Sequence, residues 1–217
     1  MTRKIFWENP YQTVCKATVT DVKGNDIVVD QTIIFAQSGG QESDHGLINQ
    51  TNVIEARKEG KEIIYTISPG HGLRVGDSVI MKIDWERRYQ LMKLHFAAEI
   101  ILALTYKALK GIEKIGAHIS QEKARIDFLW NENVATILPA LELEAAKIIK
   151  ADQEIVSAFS DEKSEKRYWK IEGFSRVSCG GTHLKRTGEI GKIKLKRNNI
   201  GKGKERMEIF IDGIHIG

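Results

Sequence analysis

A thiol and an imidazole stand four residues apart across a glycine pair in Cys179-Gly180-Gly181-Thr182-His183. Glycine has no Cβ, so the chain between them can bend tightly and aim Cys179 and His183 at one point. Zinc takes thiolate and imidazole together, but it is normally held by three or four protein ligands, so the chain must supply at least one more. His95 and Glu99 are spaced i and i+4 in a helical pattern and share a helix face. Such a pair is ordinarily a side-chain hydrogen bond. Here the run from Leu94 to Leu104 is apolar nearly all round, and an ionised carboxylate buried in it needs a cation or a strong donor. His95, Glu99, Cys179 and His183 together make a four-ligand zinc set. The bland alternative is a buried structural thiol beside a surface histidine. A second candidate, Ser38-Gly39-Gly40-Gln41, is either a connection or a loop whose amides at Gly39 and Gly40, with the Gln41 side chain, bind a substrate carbonyl or an RNA sugar. It is not a phosphate P-loop, because no Lys-Ser or Lys-Thr follows at the required spacing.

The elements that must position these residues fall into two groups. Alternation over Gln12 to Asp30, with Lys23-Gly24-Asn25-Asp26 as the turn, predicts a hairpin. Thr32 to Phe35 reads as a third strand, and Glu62 to Ile67 and Ser78 to Ile83 as two more. Residues 1–84 are expected to form a small β-barrel-like unit. Asp84 is a plausible N-cap for a long helix that runs to Leu109 and stops before Gly111. His95, Glu99, Leu102, Tyr106 and Leu109 share one face, and the helix is expected to be buried with its two polar side chains, His95 and Glu99, pointing inward. Strands over Ala124 to Trp130, Glu154 to Phe159, Tyr168 to Phe174, Ile190 to Lys196 and Met207 to Ile211, with a helix over Ala135 to Lys150, complete the chain. Asp161 to Arg167 reads as a charged loop. Residues 85–217 are thus expected to be a two-layer α/β sandwich with a mainly antiparallel sheet, and the whole chain α+β.

The chain has 217 residues, 41% of them hydrophobic, enough for a large core without disulfides. Two distant cysteines, Cys15 and Cys179, fit a reduced compartment, and Cys15 alternates with Ala17 and Val19 as a core residue. No run is long enough for a signal h-region or a membrane span, so a cytoplasmic protein with no membrane association is expected. The formal charge of +4 is uneven: Lys185 to Arg206 carries nine Lys/Arg against two Glu. This strip suggests a polyanionic partner such as RNA, contacted by Lys192, Lys194, Lys196, Arg197, Lys202 and Lys204, although most such runs are only solvated faces.

These segments resemble the AlaX family, free-standing relatives of the editing domain of alanyl-tRNA synthetase. Ser38-Gly39-Gly40-Gln41 with Ser43-Asp44 is similar to its glycine-rich motif, and Asp84-Trp85-Glu86-Arg87-Arg88 with His95 to the start of its HxxxH helix. Ile119 to Phe128 and Cys179 to His183 match two further signatures, and the glycine-rich unit resembles the medium-length type. The resemblance implies hydrolysis of the ester of tRNA(Ala) mischarged with serine or glycine, sparing alanine. It further implies zinc at His95, Cys179 and His183, substrate contacts from Thr32 and Gln41, and no adenylating core. Thr32 occupies the position of the threonine that senses the serine hydroxyl.

One departure from the family pattern is Glu99 in place of the second histidine of HxxxH; another is Phe96 in place of a threonine. A Cys⁻/Glu⁻/His/His shell neutralises Zn²⁺ where Cys⁻ with three histidines leaves +1, so the metal should polarise its ligands more weakly. Two rival readings follow: a catalytically degenerate relative that only grips tRNA, and a hydrolase with Cys179 as nucleophile and His183 as base.

Overall fold

The computed structural model describes residues 2–201 and 203–212. A two-residue strand β1 (Arg3–Lys4) and one helical turn α1 (Ile5–Glu8) precede β2 (Val14–Lys23), where Cys15, Ala17 and Val19 point inward and the residues between them outward. The hairpin turn at Gly24-Asn25 leads to β3 (Asp26–Val29) and the two-residue β4 (Gln31–Thr32). Beyond the glycine-rich segment come β5 (Gly46–Ile48), β6 (Thr51–Glu59), β7 (Glu62–Ile67) and β8 (Ser78–Ile83). Strands β2, β3, β7, β6, β5 and β8 pair in that order, and β8 returns to β2, closing a ring around Ile27, Ile48, Tyr65, Ile67 and Met81, all fully buried.

The expected strand over Thr32 to Phe35 ends at Thr32. Side chains replace its ladder: Arg88 donates to Ile33 O (2.6 Å), Tyr65 to Ile34 O (3.0 Å), and Asp44 accepts from Phe35 N (2.6 Å). Buried backbone groups must be paired, but pairing by side chains leaves no alternation to read.

Helix α2 (Trp85–Ala108) begins where expected, Arg87 N donating to Asp84 Oδ1 at 3.1 Å as an N-cap requires. It is followed by β9 (Glu113–Ile119), β10 (Ala124–Leu129), α3 (Leu138–Lys150), β11 (Val156–Asp161), β12 (Lys166–Ile171), β13 (Ser175–Ser178), β14 (Ile193–Asn199) and β15 (Lys204–Ile211). The chain divides into two compact units, Met1–Ser38 with Glu42–Gln90, and Gly39–Gln41 with Leu91–Gly217. In the second unit, two antiparallel sheets form rather than one: β14-β15-β10-β9 and β11-β12-β13. The largely buried middle of α2 meets both, Thr105 Oγ1 lying 3.7 Å from Met207 Sδ and Phe96 packing edge-on against Trp169. Tyr106, on the same face as His95 and Glu99, is half exposed. Gly39–Gln41 adds to the edge strand β9, Ile119 N donating to Gly40 O at 2.8 Å. Gly40 is obligatory: its φ is +90°, and a Cβ would lie 2.6 Å from Ala117 O.

The class is α+β with mostly antiparallel strands, as expected. The alternation missed the short β1 and β5, and also β6, β9 and β13. Most of β6 is exposed, β9 is an edge strand interrupted by Gly116, and β13 has four residues, so none shows a clean inward period. Among the described residues, no helix is long and apolar enough to cross a membrane.

Candidate metal centre

The cysteine loop leaves β13 fastened to β12: Cys179 N donates to Arg167 O at 2.9 Å, and Ser178 Oγ donates to the same oxygen at 3.3 Å. Its thiol meets the buried helix. His95 Nε2 is 3.2 Å and His183 Nε2 3.3 Å from Cys179 Sγ, and the three donors lie within 4.8 Å of one another. Two imidazole nitrogens aimed at one sulfur, all from residues of kinds that zinc accepts, fit a metal ion at their common point.

The electrostatics agree. Burial pushes both imidazoles below their usual range; at His95 the Glu99 carboxylate opposes the shift, and at His183 the other ring and Arg167 add to it, so the net direction favours the neutral, ligating form. Burial, assisted by Glu99, pushes the Cys179 thiol up. A thiol so disfavoured as an anion is a poor free nucleophile, whereas a bound cation deprotonates it outright.

The supporting groups were invisible in the sequence. Ser157, on β11, lies 2.8 Å from His183 Nδ1; with Nδ1 as donor, the bond leaves the Nε2 lone pair facing the sulfur. His95 Nδ1 is buried with no partner among the described residues. Arg167, placed by its charged neighbours in a loop, is buried on β12, donates to Gly181 O at 3.2 Å, and is pushed down to about 10 by that burial. Ser157→Ala should cut metal affinity 10- to 100-fold, the usual cost of losing an outer partner, as read by competition with a chromogenic chelator. Unchanged affinity would show that Ser157 only packs.

Glu99 lies outside the three-residue cluster but beside it. Its Oε2 accepts from the indole N–H of fully buried Trp169 at 2.9 Å, and its Oε1 is 3.7 Å from His95 Nε2. Gln41, fully buried, donates through Nε2 to Thr182 Oγ1 at 2.9 Å, next to the histidine loop. Gly39 and Gly40 hold that glutamine on the β9 edge. Thr32 belongs to the N-terminal unit and is fully buried; its Oγ1 is 2.6 Å from the Tyr65 hydroxyl and accepts from Ile34 N at 3.0 Å. Tyr65 spends its one proton on Ile34 O, so Thr32 donates to Tyr65 and keeps one lone pair.

The basic strip separates by strand face. Lys194, Lys196 and Lys204 are exposed, and Lys192 is 3.8 Å from Asp212. Arg197 shares the inner face with Met207 and is held by Glu205 through two contacts of 2.5 Å. Lys202 lies outside the described residues.

Two family models match the chain. Residues 167–208 match the second additional domain of threonyl and alanyl tRNA synthetases, and residues 5–87 match class II (A) tRNA synthetases. An alanyl-tRNA editing protein AlaX-M from Pyrococcus horikoshii is 34% identical, over 98% of this chain and 99% of its own length. One from Saccharolobus solfataricus is also 34% identical, over 95% and 98%. The alanine–tRNA ligase of Methanococcus aeolicus is 31% identical over 99% of this chain but only 26% of its own length.

Proposed function

Because this chain belongs to the AlaX family of alanyl-tRNA editing proteins, we propose that it is a trans-acting aminoacyl-tRNA deacylase that removes serine or glycine from tRNA(Ala) in the cytoplasm with the help of one zinc ion. The observation that carries the reading is the convergence of His95 and His183 on Cys179 within a chain that aligns with editing proteins over nearly its full length.

An aminoacyl ester is already activated, so the protein needs chiefly to position it and to stabilise charge on the carbonyl oxygen as it becomes tetrahedral. His95, Cys179 and His183 would hold the zinc, with Glu99 as a fourth ligand kept in place by Trp169. When bound, the ion supplies Lewis-acid polarisation. Gln41 fixes the loop that carries His183, and its backbone neighbours Gly39 and Gly40 offer amides to the substrate. Thr32 is assigned the preference for serine over alanine, its remaining lone pair accepting the extra hydroxyl; a site that binds that hydroxyl is what separates the two amino acids. No adenylating activity is assigned.

The test is hydrolysis of seryl-, glycyl- and alanyl-tRNA(Ala) by the purified protein, with and without a chelator. Seryl- or glycyl-tRNA should be consumed and alanyl-tRNA spared, with loss on chelation. A metal-free protein that still turns over and is inactivated by a thiol reagent would sink the zinc reading. Salt-sensitive tRNA binding without turnover would sink the enzyme. The Glu99 assignment carries its own expectation. The parent holds one zinc per chain, and Glu99→His, which returns a positive charge to the shell, raises the rate per bound zinc.

A further inference from the structure

We propose that the outer face of the sheet β14-β15-β10-β9 is an RNA surface, with Phe210 as a stacking platform for an unpaired base and Lys194 and Lys196 as phosphate contacts. The proposal rests on the tRNA reading above but uses residues remote from the cluster in role.

Register decides which side chains share this face. Lys194 pairs with Phe210, Lys196 with Glu208 and Asn198 with Arg206; Glu208 pairs with Arg125, Arg206 with Asp127 and Lys204 with Leu129. Directly paired residues project to the same side. The alternate residues, among them Leu195, Met207, Ile209, Ile126 and Phe128, are buried, with Thr105 of α2 against Met207 and Glu142 of α3 bonded to Leu195 N. Both helices thus cover the inner face, and the outer one presents its side chains to solvent.

Its composition is not that of an ordinary solvated sheet. Seven cations (Lys123, Arg125, Lys192, Lys194, Lys196, Lys204, Arg206) stand against four carboxylates (Glu113, Asp127, Glu208, Asp212). Two of the carboxylates, on the central strands β10 and β15, organise cations: Asp127 holds Arg206 at 2.6 Å and also Arg125, and Glu208 holds Lys123 at 2.7 Å. At the other end an aromatic ring is framed by ammonium groups, Lys196 Nζ 5.0 Å and Lys123 Nζ 5.9 Å from the Phe210 centroid. Lys194 and Lys196, alternating on the edge strand, put two charges along one line beside that ring. Single-stranded RNA asks for this combination: a π-face for a base, and cations tracking the phosphates next to it.

The experiment measures binding of uncharged tRNA(Ala) transcript by fluorescence anisotropy over a range of salt. Lys194→Ala/Lys196→Ala should weaken binding and lower the slope of log affinity against log salt by about 2, one for each phosphate no longer neutralised. Phe210→Leu should weaken binding about tenfold while leaving the slope unchanged, because stacking releases no counterions. Lys147→Ala/Lys150→Ala, on α3, should behave as the parent. The proposal is overturned if the β14 pair binds with parental affinity and slope, or if the α3 pair weakens binding as much as the β14 pair. It is also overturned if Phe210→Leu has no effect. Failure here is distinct from failure of the deacylase reading. A parent that binds but does not hydrolyse refutes only the enzyme, and β14 variants that hydrolyse with parental kcat/KM refute only the surface.

Discussion

Gly181→Ala should abolish metal binding and deacylation together, while Gly180→Ala should leave both near parental levels. A Cβ at Gly181 would stand 2.5 Å from His95 Cε1, 2.8 Å from His95 Nε2 and 2.9 Å from Gln41 Oε1. Both neighbours are buried, and neither is a flexible tip that can swing aside. Either His95 leaves the point it shares with Cys179 and His183, or the cysteine loop lifts away from the helix. A shift of about 1 Å in such a constellation costs on the order of 100-fold in rate, and a displaced ligand costs the metal as well. At Gly180 a Cβ would meet nothing within 4 Å. Zinc content by atomic absorption and seryl-tRNA hydrolysis, run on both variants, decide the matter. A Gly181→Ala protein that binds as much metal as the parent would show that the cluster tolerates a wider spacing than these distances imply.

Arg88→Met should be the most destabilising single change in the N-terminal unit. The Arg88 and Asp44 side chains are both fully buried and paired through two nitrogens, with Nε 2.8 Å from Asp44 Oδ1. The same guanidinium donates to Pro10 O at 2.9 Å and Ile33 O at 2.6 Å. It thereby ties together the segments around Pro10, Ile33 and Asp44 at the first turn of α2. Removing the cation leaves an uncompensated carboxylate and two unpaired carbonyls in the interior, a loss of about 3–5 kcal/mol. At about 4–8 °C per kcal/mol for a unit of this size, the melting midpoint should drop by more than 10 °C. Arg88→Lys should recover little, because an ammonium cannot make the forked contact and reach both carbonyls. Thermal unfolding followed by Trp7 and Trp85 emission tests this, and a midpoint within a degree or two of the parent would refute it.

The cluster was legible in the sequence because its members carry their chemistry in their side-chain types and come in two local pairs. A thiol four residues from an imidazole across two glycines, and an imidazole on an apolar helix, restrict the choices sharply. The reason for the diglycine was only half visible. The sequence suggests a need for unusual backbone freedom, yet neither glycine has a positive φ, and Gly181 is required for the space that His95 and Gln41 occupy. Arg167 shows the opposite failure. Five of the six residues from Asp161 to Lys166 are charged, so local composition places it in solvent, and only the pairing of β12 with β13 buries it beside the cysteine loop.

Local information determined the long helix and its cap, the hairpin of β2 and β3, the α+β class, the presence of a zinc-type donor set and the asymmetry of charge. Each of these rests on spacing within a few residues, where period and side-chain type suffice. Tertiary structure alone decided that Ser157 and Trp169 reach His183 and Glu99. It also decided that Arg88 with Asp44 replaces a strand ladder, and that Arg197 turns inward while Lys194 and Lys196 face out beside Phe210. Those contacts join residues far apart in the chain, and their existence depends on strand register, where a shift of one residue moves every side chain to the opposite face.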